Sequence, residues 1–493
     1  MSHRILISGR CLLIALLLHT GVFADEKAVP PNIVYILADD LGYKELGSYG
    51  QEKIKTPRLD ALAVEGMRFT RHYSGAPVCA SSRCVLMTGL HCGHSLVRNN
   101  WENGGWGERQ PEGQYPLPTG THTIARALQN AGYATGVFGK WGLGGPGTTG
   151  APEHQGFDTS CTVLCQRKAH NFYPNHLWKN GEKMTLEGNG WFKAHEKISA
   201  PLATEQEYFD RYLRKTYSPD IFLDEALAFV DDAHAEQKPF FLYYPSPIPH
   251  VALQVPVKDL DAYPREWDEV PYLGGSYLPH PRPRAAYAAM ITHLDKEVGA
   301  ILDHLQELGL AENTLVMFSS DNGTTWAGGV DHEFFGSTQG LSGLKGSVLE
   351  GGLRVPFIAQ WPGKIKPGTV SQFPSYFPDL FPTLLAVAGQ PDTRPHDGQN
   401  LVPVFQGQEL LRKKDLYWEH GDQQALISGD WKLVRRRLGK KNPTTKLFNL
   451  VKDPGETNNL ATEKPEILER LLNISKNSRF PSLVFPNSGL DLP

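Results

Sequence analysis

The feature that most restricts this chain is a short run at residues 31–40, PNIVYILADD, apolar at every position from Ile33 to Ala38 and ending on two carboxylates. A strand with one wet face alternates apolar and polar residues. An unbroken apolar strand is buried on both faces, as in a parallel sheet covered by helices. The design returns at residues 313–323, NTLVMFSSDNG, and two more runs, KPFFLYYPSPIPH and GLRVPFIAQWPG, read as buried strands closed by Pro- and Gly-rich turns. Between them lie patterns of helical period: TPRLDALAVEGMRF, HTIARALQNAGY, SPDIFLDEALAFVDDAHAEQ and AAYAAMITHLDKEVGAILDHLQELGL. Strands alternating with such helices specify an α/β fold, a large central mostly parallel sheet flanked by helices.

The texture changes after residue 412. QALISGDWKLVRRRL and TTKLFNLVKD read as exposed antiparallel strands and KPEILERLLNISKN as an amphipathic helix, so a small α+β domain is expected over 413–493. A large domain is expected over 25–412, since 493 residues with 40% hydrophobic content exceed one ordinary compact unit. Residues 166–215 and 256–284 are rich in aromatic, Pro and charged residues without period, and read as insertions that shape a cleft.

The N-terminus, MSHRILISGRCLLIALLLHTGVFADEK, places Arg4 and Arg10 ahead of an apolar run and small residues at Val22 and Ala24. This is the pattern of an export signal over residues 1–24, sending the chain to a periplasm, the extracellular space or a lysosome. A membrane anchor is not expected, because the uninterrupted apolar stretch Cys11–Leu18 is far short of the roughly 20 residues that span a bilayer. The formal charge of −4 offers no basic field for nucleic acid, although a local basic pocket stays open. Of six cysteines, Cys11 leaves with the signal, and Cys79, Cys84, Cys92, Cys161 and Cys165 remain. An odd count singles one out, and four could form two disulfides of open connectivity. A zinc site from Cys161, Cys165, His170 and His176 is disfavoured, because four residues separate the central pair where a zinc finger needs about a dozen.

Ligands of open α/β sheets gather beyond the carboxyl ends of the strands, where Asp39, Asp40, Asp321 and Asn322 stand. Three carboxylates and an amide make a hard-oxygen site suited to calcium or magnesium. The alternative is that each pair only opens a turn or caps a helix. Asn322 also begins an N-G-T sequon, but the preceding strand favours burial over a glycan. In GAPVCASSRCVLMTG, Cys79 follows a Pro-containing turn and precedes a stretch able to start a helix, with Arg83 one turn later. Such a cysteine is either a small buried hydrophobe, a thiolate nucleophile, or a residue at an anion-attracting helix terminus.

That segment resembles the signature of the type I sulfatases: Cys or Ser, any residue, Pro or Ala, any residue, Arg, then TG. NIVYILADDLGY, TIARALQNAGYATGVFGKWGLGG, SSDNG, GLKGSVLEGGLRVPFIAQWPG and LFNLVKDPGETNNLA resemble further blocks of this family, in family order. The resemblance implies an arylsulfatase-like hydrolase of the alkaline phosphatase superfamily fold. It implies that a maturation enzyme oxidises Cys79 to formylglycine, whose hydrate attacks a sulfate ester and then expels sulfate through its second hydroxyl. It places calcium among Asp39, Asp40, Asp321, Asn322 and the residue-79 oxygen. It gives Arg83 the support of formylglycine, Lys140 and Lys345 the sulfate and leaving oxygens, and His250 the role of general acid. The implied substrate is a sulfated small molecule or glycan.

Two positions depart from the pattern. Ser81 stands where the signature has Pro or Ala, and Gly142 stands where the family usually has a histidine two residues after the lysine. His170, flanked by Arg167 and Lys168, is the nearest candidate in sequence to replace that base, with water or His250 as alternatives. Competing functions are a phosphodiester or phosphonate monoester hydrolase of the same plan, and a non-catalytic binder of sulfated glycans.

Overall fold

The computed structural model describes Met1 and residues 30–491 apart from Trp106, Arg109, Glu269, Asp392, Thr393 and Ser488. The export signal expected over 1–24 lies, beyond Met1, outside the described residues. Among those described, no helix is long and apolar enough to cross a membrane.

Among the described residues eleven strands form the large sheet: β1 (Asn32–Ala38), β2 (Met67–Tyr73), β3 (Ala134–Lys140), β4 (Thr159–Val163), β5 (His176–Lys179), β6 (Glu182–Thr185), β7 (Phe240–Pro245), β8 (Thr314–Ser320), β9 (Arg354–Gln360), β10 (Thr369–Ser371) and β11 (Ser375–Tyr376). Their order is β10-β2-β9-β8-β1-β7-β3-β4-β5-β6, with β11 on β2. The five strands β8-β1-β7-β3-β4 are mutually parallel. The run GLRVPFIAQWPG does form a buried strand, but β9 is antiparallel to both neighbours, so the sheet is mixed outside its centre.

Alternate side chains of β1 enter different cores: Ile33, Tyr35 and Leu37 one, Val34, Ile36 and Ala38 the other. Both faces are therefore covered, as the unbroken apolar run requires. Helix Cys79–Thr88 packs on the first face, and helices Ser218–Ala235 and Pro283–Glu307 on the second. Ala38 pairs with Ser320 and Leu37 with Pro245, so β1, β7 and β8 deliver their carboxyl ends to one edge of the sheet, beside the end of β3.

A second sheet is antiparallel, with β12 (Leu416–His420), β13 (Gln423–Ser428), β14 (Trp431–Arg436) and β15 (Thr444–Asn449) in order. Tyr417, Leu426, Leu433 and Leu447 face Leu471 of helix Pro465–Asn477. Trp418, Ala425, Ile427, Val434 and Phe448 join the main core instead, and Trp418 Nε1 donates to Ser74 O at 2.9 Å. The small sheet thus shares its hydrophobic core with the large one. It also grips the loop before β9: Gln423 Nε2 donates to Gly346 O at 2.8 Å, and Glu350 N donates to Glu456 Oε2 at 2.7 Å.

Candidate active site

The pairing of β1 with β8 carries Asp39 and Asp40 alongside Asp321 and Asn322, and all four are fully buried. Asp40 takes a left-handed backbone, φ 66°, turning the chain sharply out of the strand. Its N–H donates to Asp321 Oδ1 at 3.2 Å, and Asn322 Nδ2 donates to its Oδ1 at 2.7 Å. Helix Cys79–Thr88 starts without a side-chain cap and has Cys79 as its first residue. The thiol points at the carboxylates, 3.3 Å from Asp39 Oδ1 and 3.9 Å from Asp40 Oδ1. One turn on, Arg83 donates from Nε and Nη2 to Asp321 Oδ2 at 3.1 and 2.8 Å, and from Nη1 to Lys140 O.

Two lysines and a histidine close the cluster. Lys140, the last residue of β3, puts Nζ 2.5 Å from Asp39 Oδ2. Lys345 Nζ donates to Asp40 Oδ2 at 2.7 Å and meets His250 Nε2 at 2.9 Å. His250 Nδ1 donates to Val251 O, so its Nε2 is the acceptor of the lysine proton. Burial, then Lys345, hold His250 down to about 4, which leaves a neutral imidazole beside a charged ammonium. The proton shared by this pair therefore rests on Lys345.

Burial, followed by Asp321 and Asp39, pushes the Cys79 thiol well up, so the unmodified side chain is a protonated thiol and not a thiolate nucleophile. Burial and the neighbouring Asp39 also push Asp321 up. Carboxylates crowded this way are what a cation relieves. Asn322 Oδ1 is a buried oxygen without a hydrogen-bond partner, and ligand atoms of Asp39, Asp40, Cys79 and His250 lie within 4.8 Å of one another. The donor set, oxygen-rich and preformed, fits a hard divalent cation.

All nine candidate residues thus meet in one place. The two disulfides that four of the cysteines could have formed are not seen among the described residues: Cys79, Cys84, Cys92, Cys161 and Cys165 are all free and buried. Cys161 sits in the second core while Cys165 faces Glu102, and no zinc cluster forms from them with His170 and His176 among the described residues.

His170 reaches the site indirectly. Its ring stacks on His250, centroids 4.4 Å apart at 11°, while Nδ1 meets His195 Nε2 at 3.2 Å, and no hydrogen bond joins it to Cys79. Sequence reading missed Gln166. Gly142 has φ +82°, and a Cβ there would stand 1.8 Å from Gln166 Nε2. The space where a side chain at 142 would start is filled from residue 166, whose amide is buried and has no hydrogen-bond partner at either end. The signal available in sequence was the glycine itself, a position freed for a neighbour. His170, His195 and Tyr277 also border a cavity of about 640 Å³ lined mostly by the two irregular segments, with Gly107, Gln110, Glu112 and Val163 completing the wall.

The family model "Sulfatase" matches residues 31–390, and "N-sulphoglucosamine sulphohydrolase, C-terminal" matches residues 345–476. Arylsulfatase A from Homo sapiens is 32% identical over 501 residues, covering 94% of this chain and 89% of that protein. N-acetylgalactosamine-6-sulfatase from Canis lupus familiaris is 31% identical over 436 residues, covering 85% and 74%. The crystal structure of Ps i-CgsB in complex with k-i-k-neocarrahexaose superposes with a TM-score of 0.73 at 27% identity, covering 91% of this chain and 93% of that one.

Proposed function

Because the chain belongs to the type I sulfatase family and is a sulfuric ester hydrolase, we propose that it hydrolyses the sulfate monoester of a carbohydrate or aryl alcohol through a formylglycine made from Cys79, with calcium at the neighbouring oxygens. The observation that carries this reading is the Cys79 thiol at the first residue of an uncapped helix, 3.3 Å from Asp39. A protonated thiol is a poor nucleophile there, whereas oxidation to an aldehyde and hydration supply a hydroxyl to attack sulfur and a second hydroxyl through which sulfate departs.

Asp39, Asp40, Asp321 and Asn322 would hold the calcium, which when bound polarises the sulfate oxygens and the residue-79 hydroxyl. Their three negative charges are matched by Arg83, Lys140 and Lys345, so a divalent cation leaves the pocket positive for an anionic ester. Arg83 fixes Asp321 by two hydrogen bonds and orients the helix terminus. Lys140 and Lys345 flank the position of the sulfuryl group and stabilise charge as the ester bond breaks. The Lys345–His250 pair holds one proton at Nζ, within reach of the leaving oxygen. Export through residues 1–24, a large domain over 25–412 and a small one over 413–493 belong to the same proposal.

Mass spectrometry of the Cys79 peptide from the purified protein tests it. The aldehyde is about 18 Da lighter than the thiol form. The expected result is that shift together with hydrolysis of an aryl sulfate. A full-mass thiol in protein that still turns over would overturn the formylglycine assignment.

A further inference from the structure

The 640 Å³ cavity beside His170 and Tyr277 carries a charge unlike the rest of the molecule. Among its described lining residues stand three cations, Arg167, Lys168 and Lys193, against one carboxylate, Glu112, on a chain whose formal charge is −4. Arg167 is paired with Glu102 at 3.3 Å, and Lys168 lies a loose 3.6 Å from Glu112. Lys193 makes no ion pair among the described residues. Beside it Trp191 is 41% exposed, a large flat side chain left uncovered on a concave wall. Exposed aromatic surface within a cleft marks a binding face, and amphipathic rings suit a ligand that is apolar on one face and wet on the other. The cavity adjoins the reacting centre because His170, on its wall, stacks on His250.

We propose that this cavity is a second subsite, holding the saccharide unit next to the sulfated one through an additional anionic group on that unit. Trp191 takes the sugar face, and Lys193 and Lys168 meet the anion. The anion is a uronate carboxylate or a second sulfate. This inference rests on the sulfatase reading given above and specifies its substrate as an anionic oligosaccharide.

Binding to the full-length Cys79→Ala protein separates the two claims, with turnover of 4-nitrocatechol sulfate by unaltered enzyme as the independent check of the sulfatase reading. The probes are a chondroitin 6-sulfate tetrasaccharide, its carboxyl-reduced counterpart, and inorganic sulfate. Lys193→Ala and Trp191→Ala change exposed positions. Each is expected to raise the tetrasaccharide Kd about tenfold, the scale of one charge-assisted contact or one aromatic platform, while the Kd for inorganic sulfate and turnover of 4-nitrocatechol sulfate stay within twofold. Weaker binding after carboxyl reduction identifies a uronate, and unchanged binding identifies a second sulfate. Tetrasaccharide affinity no greater than that for inorganic sulfate, Kd values unmoved by both substitutions, or an equal loss of aryl sulfate turnover would each overturn the subsite.

Discussion

Two buried charge clusters in this molecule differ in what they leave unpaired. Lys432 of β14 is fully buried between Glu350 and Glu456, 2.9 Å from an oxygen of each, and Glu350 also accepts from Tyr73 at 3.0 Å. One cation there joins segments from both sheets. The candidate active site packs Asp39, Asp40, Asp321, Arg83, Lys140 and Lys345 as tightly, yet beside those ion pairs the buried Asn322 Oδ1 finds no hydrogen-bond partner. Buried polar groups are expensive to leave unmet. The cluster that ties the fold together closes on itself, and the candidate site keeps one amide oxygen in reserve.

The sharpest way to break this comparison is Cys79→Ala. Loss of at least ~10³-fold in kcat is expected with little change in melting temperature, read by aryl sulfate turnover and calorimetry. Retention of a tenth of the activity would sink the nucleophile assignment. Lys432→Ala should do the opposite: removing one partner of a buried ion cluster costs about 3–5 kcal/mol in a denaturant melt, while folded protein keeps its kcat. Asp321→Ala should join both effects and abolish bound calcium in elemental analysis. Stoichiometric zinc in place of calcium or magnesium would instead favour the phosphoester-cleaving alternative.

A smaller effect comes from Gly142→Ala, which forces a Cβ into Gln166 at a left-handed φ of +82°. A loss of about 1–3 kcal/mol is expected, and Gln166→Ala in the same chain should recover the steric part only. The smallest effect concerns His293. Burial alone would lower its pKa, but hydrogen bonds to Asp220 and Asp259 outweigh that and raise it to about 9. The stabilisation is complete below the ordinary histidine pKa of about 6.5 and is lost as pH rises through about 9. Since Asp220 is half exposed, roughly 1 kcal/mol is expected. His293→Gln should therefore destabilise at pH 6 and have almost no effect at pH 10.

Much of this was legible because the signals were local. The unbroken apolar runs of β1 and β8 gave both the strands and the acidic pairs at their ends; the antiparallel strands of the small sheet were legible too, but not exposed as expected, since Leu426 and Leu433 are buried under the last helix and Ala425 and Val434 against the main core. Strand β2 was hidden because MRF continues the helical pattern of TPRLDALAVEG, and the break comes at Gly66. The direction of β9 left no trace, since an apolar strand reads the same whichever way its neighbours run. Gln166 and the His170–His250 stack escaped because they join segments 24 and 80 residues apart in the chain.

The grip of Gln423 and Glu456 on the loop carrying Lys345 has a consequence for the order of events during synthesis. At ~5–20 residues per second the ribosome needs tens of seconds to pass from residue 79 to the segment that positions that lysine. Cys79, 1% exposed in the finished molecule, is out of reach of any modifying enzyme once folding is complete. On the formylglycine reading proposed above, the nascent chain would offer its cysteine during an interval that closes when its own last strands arrive, and the clock for that step would be the length of the message still to be read.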